Sequence, residues 1–323
     1  MHAIGIDIGG TKIAAGLVDD EGNLSGSIRI DTPREARAIE DAVVELVEGL
    51  RSGTEVAAVG VAAPGFIDRE ASVVYFTPNL PWRGEPLRDV LEARLDASVT
   101  IENDANAAGW AEYRFGAGRG RRDVVMLTLG TGVGGAIVID GELYRGGHGA
   151  AAELGHIRLV TGGELCGCGQ RGCLEQYASG RALQRIAGEI AAADPAGALA
   201  EARSADGIVH GADFARLVHA GDTGALDALS QVAVNLAHGC GTLSAVLDPE
   251  LFIIGGGLSQ LGDALMRTVR ETYVDTMPAA GSRPVAEFTV AELVNDAGVV
   301  GVADLARRAT ERVDETREGG MLG

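Results

Sequence analysis

Twice in this chain an apolar strand runs into a glycine-rich turn and out again as a second apolar strand. Ile4-Gly-Ile-Asp-Ile8, Gly9-Gly-Thr-Lys12 and Ile13-Ala-Ala-Gly-Leu-Val18 form the first copy. Val124-Val-Met-Leu-Thr-Leu129, Gly130-Thr-Gly132 and Val133-Gly-Gly-Ala-Ile-Val-Ile139 form the second. A hairpin repeated so far along one chain, with Thr11 and Thr131 at matching places, predicts two lobes built on one plan. Length agrees, since 323 residues exceed what one core usually organises.

Around these hairpins the periodicity predicts a helix over 35–50, a strand over 56–62 closed by Pro64-Gly65, a strand over 99–101 and a helix over 105–115. Helices follow at 180–193 and 227–246. Leu251-Phe-Ile-Ile254 reads as a buried strand, Gly255-Gly-Gly257 as a turn and Ser259 onward as a helix. The closing helix, 296 to about 317, is expected to return to the first lobe.

Apolar residues at 46% and charged ones at 23% are the balance of a soluble globular chain, and no apolar run is long enough to span a bilayer. The N-terminus carries no secretory pattern, so a cytoplasmic location with reduced thiols is expected. Against 46 acidic residues stand 27 basic ones, a net charge of −19 that argues against nucleic-acid partners. The basic cluster Arg119, Arg121 and Arg122 reads as a solvated loop.

Cys166, Cys168 and Cys173, shortly after Glu153-Leu-Gly-His156, are the strongest chemical signal. Three thiols and an imidazole complete a tetrahedral zinc set with no position left for a reacting water, which predicts a structural metal held by His156, Cys166, Cys168 and Cys173. One residue between Cys166 and Cys168 makes a disulfide there a poor alternative. Cys240 stands apart and reads as a small buried hydrophobe in a helix.

Gly5 to Lys12 nearly matches a phosphate-binding loop, but Thr11 precedes Lys12 and a strand, not a helix, follows. What remains is that glycines let backbone N–H groups approach phosphate oxygens while Thr11 and Lys12 add a hydroxyl and a charge. Asp7, on the same hairpin, can hold magnesium through water. Asp104, ahead of an apolar helix, reads either as an N-cap or as a functional carboxylate. Asn79-Leu-Pro-Trp82 reads as packing.

The motifs Asp7-Ile-Gly-Gly-Thr-Lys12, Glu102-Asn-Asp-Ala-Asn-Ala107, Leu129-Gly-Thr-Gly-Val-Gly-Gly135, Glu153-Leu-Gly-His156 with the Cys run, and Ile254-Gly-Gly-Gly257 together resemble the ROK family of sugar kinases, most closely its bacterial glucokinase branch. The resemblance spans nearly the whole chain. It implies an α/β, two-lobed, actin-like (ribonuclease H-like) ATPase fold with the sugar in an interlobe cleft and the zinc knot in the larger lobe. Lobes of 1–104, rejoined by a helix at about 303–323, and of 105–302 are expected.

The implied reaction moves the γ-phosphate of ATP to the 6-hydroxyl of glucose, with Mg2+ at the phosphates. Asp104 is then the catalytic base. Gly65, Asn103, Asp104, Glu153, His156 and Glu175 bind the sugar. Asp7, Gly9, Gly10, Thr11, Lys12, Gly130, Thr131, Gly132, Gly255, Gly256 and Gly257 serve the nucleotide. The resemblance also implies a homodimer or homotetramer. Another hexose (mannose, fructose or N-acetylmannosamine), polyphosphate as a further donor, and a sugar-responsive transcription regulator are the alternatives. The regulator is disfavoured because such relatives carry a helix-turn-helix ahead of the body and this chain starts at the first strand.

Overall fold

In chain order the elements are β1 (His2–Ile8), β2 (Lys12–Val18), β3 (Leu24–Asp31), α1 (Ala36–Arg51), β4 (Val56–Ala63), β5 (Phe66–Ile67), β6 (Val74–Phe76), β7 (Arg83–Glu85), α2 (Leu87–Leu95), β8 (Val99–Asn103) and α3 (Asp104–Phe115). They continue with β9 (Val124–Leu129), β10 (Val133–Ile139), β11 (Glu142–Leu143), α4 (Glu175–Ala178), α5 (Gly180–Ala193), α6 (Ala198–Glu201), α7 (Gly211–His219) and α8 (Thr223–Leu247). β12 (Leu251–Gly255), α9 (Asp263–Thr276), β13 (Glu287–Val290) and α10 (Ala297–Gly319) close the chain. This computed structural model describes residues 1–51 and 53–319; the expected helix end at 320–323 lies outside the described residues.

The chain divides into two compact units. The first comprises Met1–Gly120, Ala136–Ala152 and Glu292–Gly323, the second Arg121–Gly135 and Glu153–Ala291. The expected cut at 104/105 falls at the start of α3, whereas α3 stays in the first unit, where it packs along α10. Both five-stranded sheets follow one order: β3-β2-β1-β4-β8 in one, β11-β10-β9-β12-β13 in the other. The duplicated hairpin in the sequence is thus duplicated topology.

In the first sheet β1 pairs antiparallel with β2 and parallel with β4, and β4 pairs parallel with β8. Side chains alternate across its faces. Ile4, Ile6, Ile8, Ile13, Val59, Val61 and Ile101 join the α1 and α2 side in one core. The other face is made of small residues, and there α10 comes very close. A β-carbon at Gly5 would stand 1.9 Å from the Val299 carbonyl oxygen, one at Gly60 2.0 Å from that of Val302, and one at Gly301 1.8 Å from that of Ala107. Each glycine therefore permits a backbone approach that any side chain would block. Ala3, Val18, Ala111, Val299, Val300 and Ala303 fill the seam.

In the second unit β12 pairs parallel with β9 and β13, and α8 packs on α5 and α9. Cys240 is fully buried on α8, as the sequence implied, and burial pushes its thiol far up. The helix expected from Ser259 is not continuous. A 3-10 turn, Gly257–Leu261, ends at Gly262 with φ 55°, and α9 starts afresh at Asp263. Several elements escaped the sequence pattern, among them β3, whose face is largely exposed, the helices α2 and α7, and the edge strand β13. The segment 79–82 packs as expected, with Leu80 and Trp82 buried. Arg119 and Arg122 are exposed, as a solvated loop requires, and Arg119 and Arg121 make surface ion pairs with Glu292 and Glu287. Among the described residues no helix is long and apolar enough to cross a membrane.

Candidate functional site

β8 delivers the chain to α3 at Asn103 and Asp104, and the two side chains divide the work of that junction. Asn103 is the N-cap: its Oδ1 accepts from the Asn106 N–H at 3.0 Å, and its Nδ2 donates to the Gly65 carbonyl at 3.0 Å. Asp104 is the first helical residue, and its Oδ1 accepts the Ala105 N–H at 2.8 Å. The capping alternative for Asp104 is thereby removed, and its carboxylate is free for other work. Asn103, expected to bind sugar, has both polar atoms engaged within the fold.

Gly65, with φ 108°, brings its backbone to Phe76; a β-carbon there would lie 2.1 Å from the Phe76 carbonyl oxygen. Behind the junction, Glu102 is buried. Its Oε1 accepts from the Asn103 N–H and from Asn106 Nδ2, both at 3.0 Å, and its Oε2 accepts from Arg145 Nε at 2.6 Å. The sequence reading named Glu102 only within a motif and missed Arg145; an acidic residue on the inward face of a strand was the available signal.

Asp7 sits on β1 in the same unit, its carboxylate against the first turn of α10: a β-carbon at Gly298 would be 2.5 Å from Asp7 Oδ2. Burial first, then the Asp104 charge, lifts Asp7 to about 7, with Arg29 pulling the other way. Burial also raises Asp104, opposed by backbone hydrogen bonds. Two carboxyls of raised pKa that feel one another, Asp7 on β1 and Asp104 at the start of α3, are a candidate for cation binding, and Asp7 for proton exchange near neutrality. The glycine turn beyond Asp7 leaves Thr11 and Lys12 exposed. Lys12 is not a free charge, since its Nζ pairs with Asp31 across the β2–β3 strands.

In the second unit the four predicted metal ligands come together: one donor atom each from His156, Cys166, Cys168 and Cys173, all within 4.8 Å of one another. A tetrahedral site with metal–sulfur bonds of about 2.3 Å sets its sulfurs about 3.8 Å apart. Here the Cys168 and Cys173 sulfurs are 3.7 Å apart, and Cys166 Sγ is 3.7 Å from His156 Nδ1. The donor set fits zinc in number, softness and spacing. The knot depends on glycine at 172 (φ 80°), where a β-carbon would overlap the Val160 carbonyl at 1.6 Å. Burial and the neighbouring thiols push Cys173 up to about 12, a crowding that a central dication relieves.

His156 presents Nδ1 to the sulfurs while Nε2 is 3.8 Å from Glu153 Oε2. Glu153 and His156 thus stand side by side, as their spacing predicted. Glu175, two residues beyond Cys173, places Oε1 3.7 Å from Cys166 Sγ, and its Oε2 accepts from the Val133 N–H at 3.0 Å. The turn at 130–132 is exposed at Gly130 and Thr131. Gly256, with φ 78°, lies against the end of β9, where a β-carbon would be 2.6 Å from the Leu129 carbonyl. Gly130, Thr131, Gly132 and Gly255 to Gly257 therefore gather at the ends of paired strands β9 and β12.

The ROK family profile matches residues 3–309. A glucokinase of Streptomyces coelicolor is 48% identical over 307 residues, covering 94% of this chain and 97% of that protein. An N-acetylmannosamine kinase of Escherichia fergusonii is 34% identical over 312 residues, covering 95% and 99%. A crystal structure of a ROK family glucokinase from Streptomyces griseus, in complex with glucose and AMPPNP, superposes with a TM-score of 0.84 at 46% identity, covering 95% of this chain and 100% of that one. By sequence match along nearly its whole length, the chain belongs to the ROK family.

Proposed function

We propose that the protein is an ATP-dependent glucokinase, which transfers the γ-phosphoryl group of ATP to the 6-hydroxyl of glucose. The substrates of its Streptomyces relatives support the choice of sugar and donor. The observation that carries the chemistry is Asp104: largely buried, raised in pKa, and released from capping by Asn103. In this reading its carboxylate accepts a hydrogen bond from the sugar's 6-hydroxyl, aligns that oxygen on the γ-phosphorus, and takes the proton late in a loose transfer. Asn103 contributes by holding the Gly65 carbonyl and the first turn of α3 in place.

Glu153, His156 Nε2 and Glu175 Oε1 supply acceptors and a donor for the remaining hydroxyls; a wrong epimer leaves one of these groups unpaired. Zinc in the knot holds His156 and Glu175 in position and takes no part in transfer. Asp7 would hold Mg2+ through water, which neutralises phosphate charge when bound. The glycine turns at 9–12 and 130–132, with 255–257, offer backbone N–H groups to the nucleotide. A cytoplasmic homodimer or homotetramer completes the proposal.

Asp104→Ala is the deciding experiment. Phosphoryl transfer, followed by ADP release, should fall by about 10²–10⁴-fold while glucose binding by calorimetry persists. Substantial activity in a folded, glucose-binding variant would remove Asp104 from the mechanism. A hexose panel tests the sugar: equal rates on glucose and mannose would replace the glucokinase reading with a broader hexokinase.

A further inference from the structure

The segment that carries the metal ligands also forms the seat of the Gly130–Gly132 turn. Val133 N–H donates to Glu175 Oε2 at 3.0 Å, and Gly180 N–H donates to the Gly130 carbonyl at 2.8 Å, so both flanks of the turn are held from 175–180. Contact is close enough to dictate glycine. A β-carbon at Gly132 would stand 2.2 Å from Glu175 Oε2, one at Gly180 2.8 Å from the Gly130 oxygen, and one at Gly155 2.3 Å from the Val133 oxygen. Val133 is thus held through its N–H by Glu175, while its carbonyl oxygen lies close against Gly155 of the Glu153–His156 turn. The second carboxylate oxygen of Glu175 faces Cys166 Sγ at 3.7 Å. One carboxylate therefore touches the metal knot with one oxygen and the turn with the other.

We propose that Glu175 is a positioning residue that transmits the state of the thiolate–imidazole knot to the Gly130–Gly132 turn, so that nucleotide affinity depends on the metal. The inference rests on the kinase reading and adds to it a coupling between the zinc site and ATP. Zinc fixes Cys166 and Cys173, which fix the start of α4; Glu175 then holds the Val133 N–H and keeps the preceding turn open toward phosphate. Without metal the four ligands separate, α4 loses its anchor, and the turn becomes mobile before nucleotide arrives. Any hydroxyl that Glu175 binds through Oε1 is coupled to the same turn, and such coupling is reciprocal.

The test measures AMPPNP dissociation constants by calorimetry without sugar, on zinc-loaded and chelator-stripped protein, each in the parent and in Glu175→Ala, with zinc content measured in every sample. Stripping the parent should weaken AMPPNP about tenfold or more, as should Glu175→Ala with its zinc retained, because each removes a charge-assisted hydrogen bond. Stripping Glu175→Ala should add little, since the link is already cut. Glu175→Gln, which keeps an acceptor for the Val133 N–H, should restore most of the affinity.

Unchanged AMPPNP affinity in the stripped parent would overturn the inference, as would a stripping effect of full size in Glu175→Ala. Should stripping unfold the second unit, zinc-loaded Glu175→Ala against Glu175→Gln carries the test alone, and equal affinities there would overturn it. If no sample binds AMPPNP, the kinase reading itself fails, a result distinct from uniform binding.

Discussion

At residue scale the junction of β8 and α3 decides the chemistry. Asparagine and aspartate cap helices about equally well, so the sequence Asn103-Asp104 leaves open which residue caps. The structure gives the cap to Asn103 and frees Asp104. Asn103→Ala should cost about 1 kcal/mol from the lost cap, read as a lower Tm, and more if the Gly65 carbonyl finds no other donor. Burial and, after it, the Asp104 charge lift Asp7 to about 7, so Asp104→Asn should lower the Asp7 midpoint part of the way, measurable by carboxyl NMR. The pH dependence has opposite signs for stability and rate. Asp7 rises from an ordinary 3.8 to about 7 on folding, so the folded state holds this proton more tightly. Through this group stability increases as pH falls from above 7 toward 4. Burial also raises Asp104, so phosphoryl transfer should fall as acidification protonates that carboxylate. Unfolding midpoints recorded from pH 8 to 5 should therefore rise as pH falls while rates fall on acidification; an unfolding midpoint independent of pH across that window would contradict a raised Asp7.

At the scale of elements, short apolar runs on either side of a glycine turn made both hairpins legible, and the apolar run closed by Pro64-Gly65 did the same for β4. The three Cys and His156 were legible as a ligand set because their chemistry admits few other uses. β3 was not, since Ser25, Gly26, Ser27 and Arg29 show no apolar alternation and the strand is largely exposed. The break at Gly262 was hidden too, as glycine in an apolar run signals only a weaker helix until its φ is known. Nor did the sequence show why Gly5, Gly60 and Gly301 are glycine; each allows contact with a helix or strand remote in the chain. Alanine at any of the three would overlap a carbonyl oxygen about 2 Å away. Each substitution should cost at least about 1–3 kcal/mol, seen as a lower Tm in thermal unfolding, whereas alanine at exposed Gly49, with open space around it, should not destabilise its helix.

For the whole molecule, the repeated sheet order explains why one hairpin motif predicted half of each unit, and the division of the chain explains where that reading stopped. The first unit is assembled from three separate stretches of sequence, so the expected 1–104 with a returning helix at about 303–323 left out 105–120 and the inserted stretch 136–152. Metal belongs to the second unit: native mass spectrometry of active protein should find one zinc per chain, and its removal should lower the melting temperature and weaken glucose binding. The seam between α10 and the first sheet has a consequence for biosynthesis. Ala3, Val18 and Ala111 are covered by residues 297–303, which leave the ribosome long after them. The opening 120 residues must therefore wait, partly uncovered, while the later half of the polypeptide is translated, and a chain stalled before residue 297 should be captured by chaperones or cut by proteases along that exposed sheet face.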